Sequence, residues 1–456
     1  MKNYNGLKLR KMLVFISTIG LFYASLWLTL ILRYQENYNN QIWQMHFWPF
    51  TWLFLIWLVI FYALNLFDPI ANQHGVSFLN IYLKTAAINL GLGFIYFYAL
   101  YSRAEIRPRT VLIILMAIFT VLYFVWRKLL NKLSHNEKFY PNVLFVGYEP
   151  LIKEILPKND EEQRFGYFYK GIVTDQIDLG KSLNLKSYNF NELNEVIKKD
   201  KISLLIINEP SNQEIINLLF KILPLRVNFI SLSNFYENIC QRIPLTIISR
   251  GWFLDNFSEG QKTIYETSKR LIDIVLSLLV GLVSLPFTPF IALAIKLNSK
   301  GPIIFKQIRV GKDGQNFVTL KFRTMYQNAE KSGAIWAKEN DPRITTVGLF
   351  LRKTRLDEIP QLINIFTGEM SFVGPRPERP EFIELLEKEI PFYRERLLVK
   401  PGLTGWAQIN FPYADSVEST LKKLQYDLYY VKNRSIFLDL SIILKTLNTI
   451  LQQVGR

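Results

Sequence analysis

The sequence predicts a membrane α plus α/β protein in three parts. Residues 1–135 form a four-helix transmembrane region, 136–260 a degenerate Rossmann-like α/β domain, and 261–456 a mixed α/β domain with a re-entrant membrane helix at 270–298. Three observations carry this reading. Four apolar runs of spanning length crowd the first 126 residues. Strand-like apolar runs then alternate with helical patterns. A fifth apolar run is broken at its centre by two prolines and flanked on both sides by cations.

Composition narrows the function. Half of the 456 residues are hydrophobic and the formal net charge is +16. Beside apolar spans, such a charge faces anionic headgroups and anionic substrates, and nucleic acid is not expected as a partner. A single cysteine, Cys240, excludes an intrachain disulfide framework and a cysteine-built metal site. His46, His74 and His135 are the only histidines, all before residue 140. Chemistry in the rest of the chain therefore runs without imidazole, which excludes Ser-His and Cys-His nucleophiles and histidine-held metals there. Carboxylates, lysines, arginines and an oxygen-ligated metal remain.

The four runs are Met12–Leu32, Phe50–Phe67, Leu79–Tyr101 and Thr110–Trp126. Each suffices to cross roughly 30 Å of hydrocarbon, and Trp and Tyr cluster at their ends. The first lacks a small-residue cleavage site, so no cleavable signal peptide is expected. Lys2, Lys8, Arg10 and Lys11 before the first run, and Arg127, Lys128 and Lys132 after the fourth, put both flanks in the cytoplasm. Arg103, Arg107 and Arg109 run against that rule. A plain anchor and a transport or partner-binding role both fit this region.

In the middle, 141–147, 201–207 and 227–230 read as strands separated by helical patterns, a parallel α/β unit. A dinucleotide fold carries Gly-x-Gly-x-x-Gly after its first strand. Here Gly147-Tyr148-Glu149-Pro150 stands there, with bulky and imino residues where small ones are needed. A structural or regulatory domain is expected, not a cofactor-binding one.

The fifth run, Ile274–Ile295, is interrupted by Pro286 and Pro289. Lys269 and Arg270 precede it; Lys296, Lys300 and Lys306 follow. Two basic flanks predict a helix–break–helix that enters and leaves on one face, against a proline-kinked spanning helix. A strand after Gly301-Pro302, a hairpin at Gly311-Lys312-Asp313-Gly314 and a strand over 318–325 follow, with Lys321 and Arg323 on one face by alternation. Residues 436–451 form an apolar helix suited to core or membrane interface, with the interface preferred.

Between these lies the most informative stretch, Arg352-Lys353-Thr354-Arg355-Leu356-Asp357-Glu358-Ile359-Pro360, running on to Gly374-Pro375-Arg376-Pro377. Leu356, Ile359, Leu362, Ile363 and Phe366 recur at helical spacing, and Pro360 is tolerated only in a first turn. That puts Asp357 near an N-cap, where a phosphate is also favoured. An ordinary capping Asp with a solvated Glu is the other reading of these residues alone.

The words Lys269-Arg270-Leu271-Ile272-Asp273, Gly301-Pro302, Phe305-Lys306-Gln307, Lys321-Phe322-Arg323-Thr324-Met325, Leu356-Asp357-Glu358-Ile359-Pro360-Gln361-Leu362, Gly374-Pro375-Arg376-Pro377 and Lys400-Pro401-Gly402-Leu403-Thr404-Gly405-Trp406-Ala407-Gln408 occur in one order. Over the last 195 or so residues the chain resembles the bacterial sugar transferase family, the polyprenyl-phosphate glycosyl-1-phosphate transferases. Its whole layout is similar to the large members that initiate exopolysaccharide or O-antigen synthesis. The resemblance implies transfer of a sugar-1-phosphate from a UDP-sugar to undecaprenyl phosphate with release of UMP. It implies a multi-pass bacterial inner-membrane enzyme with its catalytic domain on the cytoplasmic face. It assigns the nucleophile to Asp357, a Mg²⁺ ligand to Glu358, and phosphate or nucleotide contacts to Arg352 and Arg376. Lys321 and Arg323 join them as neutralising cations for a charged transition state. Pro286 and Pro289 are the candidate membrane-helix breaks. Where some relatives carry Asn-Gly-Arg after the Trp-Ala-Gln word, this chain has Phe411-Pro412-Tyr413, so that arginine has no counterpart. A homodimer and polysaccharide-assembly partners are left open. Two rival readings are a glycosyltransferase moving the sugar alone, and a membrane scaffold without activity.

Overall fold

The computed structural model describes residues 6–64, 66–67, 75–100, 108–134, 141–156, 163–164, 167–176, 178, 182–208, 213–257, 262–327, 341–411 and 416–451. Lys2, His74, His135, Arg103, Arg107, Pro412 and Tyr413 lie outside these. The chain divides into two compact units, Met1–Phe235 and Tyr236–Arg456.

The first unit opens with four long helices, α1 (Gly6–Tyr34), α2 (Asn40–Ala63), α3 (Gly75–Leu100) and α4 (Pro108–Ser134). α1 packs on α4 and α2, and α3 on α2 and α4. Phe22, Trp57, Phe61, Phe119 and Tyr123 fill the interior, while Leu13, Ile16, Trp52, Leu55, Ile95 and Val121 point outward. A bundle apolar on both its inner and outer surfaces has lipid as its solvent. Several polar groups inside it find partners: Trp126 Nε1 donates to Ser17 Oγ (2.8 Å), Trp57 Nε1 to the Asn89 backbone carbonyl (2.9 Å), and Tyr82 pairs with Thr120 (2.7 Å), whereas the buried Asn89 amide and His46 Nε2 have no hydrogen-bond partner among the described residues. α2 starts ten residues before the expected run at Phe50, because Asn39 caps it by accepting from Ile42 N, and Pro49 is carried inside the helix.

A mostly parallel sheet follows. Its strands are β1 (Asn142–Val146), β2 (Gln163–Arg164), β3 (Tyr167–Val173), β4 (Ser187–Tyr188), β5 (Ile202–Ile207) and β6 (Asn228–Ser231). The order is β2-β3-β1-β5-β6, with β4 on β3 and only β2 antiparallel. The three strands read from sequence are β1, β5 and β6. β3, beside the central β1, was not anticipated.

The second unit holds the motif words. Helix α5 (Thr263–Ser284) passes through a single 3₁₀ turn at Leu285–Phe287, containing Pro286, into α6 (Thr288–Asn298), which has Pro289 in its first turn. Among the described residues, Met12–Asn37, Asn40–Ala63, Thr110–Leu130 and Thr263–Asn298 are long and apolar enough to cross a membrane. Both limbs of the α5–α6 stretch are fastened to the same unit. On the α5 side, Arg270 donates to the carbonyls of Ile365 and Phe366 (both 2.6 Å), and Asp273 accepts from Ser371 Oγ and Phe372 N. On the α6 side, Ile295 packs with Phe322 and Leu351, and Arg323 donates to the Ser299 carbonyl (2.7 Å) and to that of Pro302.

An antiparallel hairpin follows, β7 (Ile304–Val310) and β8 (Asn316–Phe322), turning through Asp313 and Gly314 at positive φ. Beyond it, α7 (Thr346–Thr354) and α8 (Gln361–Thr367) frame the Asp-Glu pair. A short parallel pair then joins two motif words: β9 (Ser371–Val373) lies on β10 (Gly402–Thr404). The glycines there are steric requirements. A Cβ on Gly374 would overlap the Lys400 carbonyl, and one on Gly402 would overlap Gly374 N. The C-terminal helix α9 (Ile436–Leu451) keeps the expected bounds; Ile442 enters the core while Phe437 and Leu440 stay exposed.

A buried ion pair fixes the Gly-Pro-Arg-Pro loop. Arg396 donates through Nε and a terminal nitrogen to Asp427 Oδ2 (3.1 and 2.9 Å), and that same nitrogen donates to the Arg376 carbonyl (2.8 Å). Both side chains are almost fully buried. Asp427→Asn would remove the carboxylate bonded to the buried arginine and leave only the more distant Glu378 charge acting on it, at a cost of up to about 3–5 kcal/mol. The expected result is a clearly lower unfolding temperature of the detergent-solubilised protein, read by intrinsic fluorescence. An unchanged temperature would mean the pair contributes little.

Candidate active site

The Asp-Glu pair sits at a junction between two helices, not at the exposed N-cap expected from the sequence. α7 is capped by Thr345, whose hydroxyl accepts from Gly348 N (2.9 Å), and ends where Arg355 turns left-handed at φ 59°. The chain restarts as a 3₁₀ turn over Leu356–Glu358, and α8 begins only after Pro360, which takes the N-cap position itself. Leu356 and Ile359 are drawn toward Ile295, Phe322 and Leu351, and Leu362 and Ile365 into the main core. This turns Asp357 and Glu358 inward, to 8% and 7% exposure. A solvated Glu is thereby excluded. Ile363 and Phe366, expected on the buried face, are 57% and 49% exposed, because the register restarts at Pro360.

The cations arrive from two other motif words. Lys321, near the end of β8, donates Nζ to Glu358 Oε1 at 3.0 Å. Arg376, from the Gly-Pro-Arg-Pro loop, donates to the same oxygen at 2.9 Å. Arg352, in the last turn of α7, donates Nε to Thr324 Oγ1 at 2.9 Å, and its charge acts on Asp357. Arg323 is not with them. β8 ends at Phe322, the alternation stops, and the guanidinium turns to the carbonyls around Ser299 and Pro302. Pro286 and Pro289 lie at the turn between α5 and α6. Two groups to which the sequence analysis gives no role join the neighbourhood: Thr324, and Asp341, which is gripped by Arg343 (2.8 Å at Nε) and adds its charge near Arg352.

The two carboxyls are driven apart electrostatically. Burial and the neighbouring Glu358 charge push Asp357 up to about 6, against the pull of Lys321, Arg352 and Arg376. Burial alone would raise Glu358 too, but Lys321 and Arg376 hold it well below the carboxylate range. Burial lowers Lys321 despite Glu358, while the Glu358 charge raises Arg376. At neutral pH the site therefore holds two carboxylates. One is neutralised by two cations; the other has a buried oxygen, Oδ1, with no hydrogen-bond donor.

The residues present suit Mg²⁺. That ion is held by one or two carboxylates and completes its shell with waters and substrate phosphates. Among the described residues no three acidic, histidine or cysteine side chains converge as a cage. The pair offers Glu358 Oε2, which takes part in neither of the bonds from Lys321 and Arg376. Such a hard, sparse donor set fits a metal shared with a phosphorylated substrate.

Comparison with known proteins points to one family. The sequence model of the family "Bacterial sugar transferase" matches residues 264–453. The UDP-glucose:undecaprenyl-phosphate glucose-1-phosphate transferase of Klebsiella pneumoniae is 31% identical over 424 residues, covering 90% of this chain and 89% of that protein. The UDP-N-acetylgalactosamine-undecaprenyl-phosphate N-acetylgalactosaminephosphotransferase of Aeromonas hydrophila is 44% identical over 212 residues, 44% of this chain and about half (49%) of that protein. A glucose-1-phosphate transferase of the same description from Escherichia coli strain K12 is 46% identical over 180 residues, 39% of each chain.

The raised Asp357 has a consequence for stability. A carboxyl raised in the fold, from 3.8 to about 6, opposes folding once ionised. The penalty is absent below the unfolded value, grows between the two and is complete above the folded one. Asp357→Asn, in chelator, should therefore unfold at a higher temperature than wild type near neutral pH. The difference should close as the pH falls toward about 4. A variant no more stable at neutral pH would show that ionising Asp357 costs the fold nothing.

Proposed function

The chain belongs to the bacterial sugar transferase family, and is thus a transferase; from that premise we propose that it moves a sugar-1-phosphate from a UDP-sugar to undecaprenyl phosphate and releases UMP. This would be the first step of exopolysaccharide, capsule or O-antigen repeat-unit synthesis, on the cytoplasmic face of the bacterial inner membrane. The observation that carries the reading is the buried Asp357–Glu358 pair, with one carboxylate neutralised by Lys321 and Arg376 and the other left with a bare oxygen.

In this reading a carboxylate oxygen of Asp357 attacks the phosphorus bonded to the sugar. The bond from that phosphorus to the bridging oxygen breaks, UMP departs with the electron pair, and an aspartyl phosphosugar remains. An oxygen of undecaprenyl phosphate then attacks the same phosphorus and the aspartyl–phosphorus bond breaks, regenerating the carboxylate. The acceptor is already ionised, so the absence of histidine beyond residue 135 is no obstacle. Arg376 and Arg352 meet charge on the phosphates, while Lys321 keeps Glu358 ionised and oriented. Mg²⁺ held through Glu358 would supply charge neutralisation on the diphosphate.

The α5–α6 stretch serves this reading as a re-entrant hairpin that sets the site at headgroup depth. Its support is the attachment of both limbs to one unit, at Arg270 and Asp273 before the turn and at Ile295 and Ser299 after it. With Cys240 replaced by serine, single cysteines at Thr267 and Lys300, both exposed, should react with an impermeant thiol reagent from the same side of the membrane. Labelling from opposite sides would replace the hairpin by a span.

Chemistry is tested with UDP-glucose and UDP-N-acetylgalactosamine labelled at the sugar-linked phosphate, with Mg²⁺ and without lipid. The wild type should retain label on Asp357, with one UMP released per label. Asp357→Asn should retain none, and its turnover with lipid should fall by several orders of magnitude, as when a covalent step is lost. UMP appearing only with lipid, and no label on protein, would indicate direct displacement. Release of UDP would indicate transfer of the sugar alone.

A further inference from the structure

We propose that Thr324 is a positioning residue: its hydroxyl holds the Arg352 guanidinium beside Asp357, aiming the two terminal nitrogens at a phosphate of the bound nucleotide. The proposal rests on the reading of Asp357 as the reacting carboxylate.

Three observations carry it. The segment after β8 is locked to the start of α7: Tyr326 N donates to the Arg343 carbonyl (3.0 Å), Thr345 N donates to the Thr324 carbonyl (2.9 Å), and Met325 bridges Ile344. The first turn of α7 then sits directly on Thr324. A Cβ on Gly348 would overlap the Thr324 carbonyl oxygen, so no other residue permits this approach without moving the helix. Arg352 follows Gly348 by four residues, one helical turn on the same face. From there its Nε reaches the buried Thr324 hydroxyl at 2.9 Å.

A guanidinium tethered at Nε has its rotation fixed and its two terminal nitrogens presented as a fork, the geometry that grips a phosphate at two oxygens. Among the described residues, the Thr324 hydroxyl is the only hydrogen-bond acceptor to Arg352 outside its own helix ladder. The negative groups acting on it are Asp357 and Asp341, and the positive ones Arg343 and Arg376. Its fork is therefore held by shape at Nε and is open to an anion at its other end. The hydroxyl orients it without neutralising it, which a carboxylate in the same place would do.

The test compares Thr324→Val, which keeps the shape and removes the hydroxyl, with Thr324→Ser, which keeps the hydroxyl and removes the methyl. Affinity for UDP with Mg²⁺ is measured by calorimetry on the purified full-length protein, and UMP release with the two UDP-sugars and lipid. A lost hydrogen bond to a charged group corresponds to roughly ten- to a hundredfold. Thr324→Val should lose that much in UDP affinity and in kcat/KM, and Thr324→Ser should restore both. In an Arg352→Lys background, Thr324→Val should add nothing, because the two changes remove one interaction. A merely structural role would reduce the active fraction and leave the affinity of the remaining protein unaltered. Unchanged affinity in the Val variant, an equal loss in the Lys background, or failure of Ser to restore would each overturn the proposal. A wild type that binds UDP but releases no UMP would instead overturn the transferase reading, while the affinity series would still decide the role of Thr324.

Discussion

Two carboxylates side by side, almost out of reach of water, are the constraint around which the second unit is arranged. Alone, such a pair would not ionise twice. Here it does because Lys321 and Arg376 converge on one oxygen of Glu358. Asp357, whose Oδ1 has no donor, is left as the less comfortable of the two.

That arrangement needs three distant segments at fixed heights, and the fold supplies a separate fastening for each. The Arg376 loop is held from beneath by Arg396 through its backbone carbonyl, and from the side by Arg309, which donates to the Pro377 carbonyl (3.0 Å). β9 and β10 approach so closely at Gly374 and Gly402 that side chains are excluded. Lys321 arrives on a strand whose neighbour in sequence, Leu320, donates its N–H to Asn364 Oδ1 on α8 (3.1 Å), tying hairpin to helix. The motif words thus divide into residues that meet the site and glycines and buried ions that bring those residues to it.

How much of this the sequence disclosed depended on the kind of signal. Apolar runs and a bare Asp-Glu word are local, and they located the helices, the acidic pair and the C-terminal helix to its bounds. Arg323 was assigned to the wrong face because alternation holds only while a strand lasts, and β8 stops one residue short of it. The capping role for Asp357 failed because nothing local marks Arg355 as left-handed, and that conformation separates the two helices. β3 went unread since Lys170 and Gly171 interrupt its apolar character, although pairing on both flanks buries it. Thr324 was passed over because its partner lies 28 residues away and a threonine carries no chemical signature by itself.

The clamps at both ends of the α5–α6 stretch also bear on which changes of length the protein tolerates. Each residue added to a helix rotates everything beyond it by roughly 100° and advances it about 1.5 Å. A single insertion between Asp273 and Ile295 would turn Ile295 and Ser299 away from Phe322 and Arg323, and the error would pass into the first strand of the hairpin that carries Lys321. Adding about one full turn restores the facing but lengthens the limb by some 5 Å. This segment, although it contributes no chemistry, should therefore accept substitutions between apolar residues freely and length changes hardly at all. The exposed segments elsewhere in the chain are under no such phase requirement.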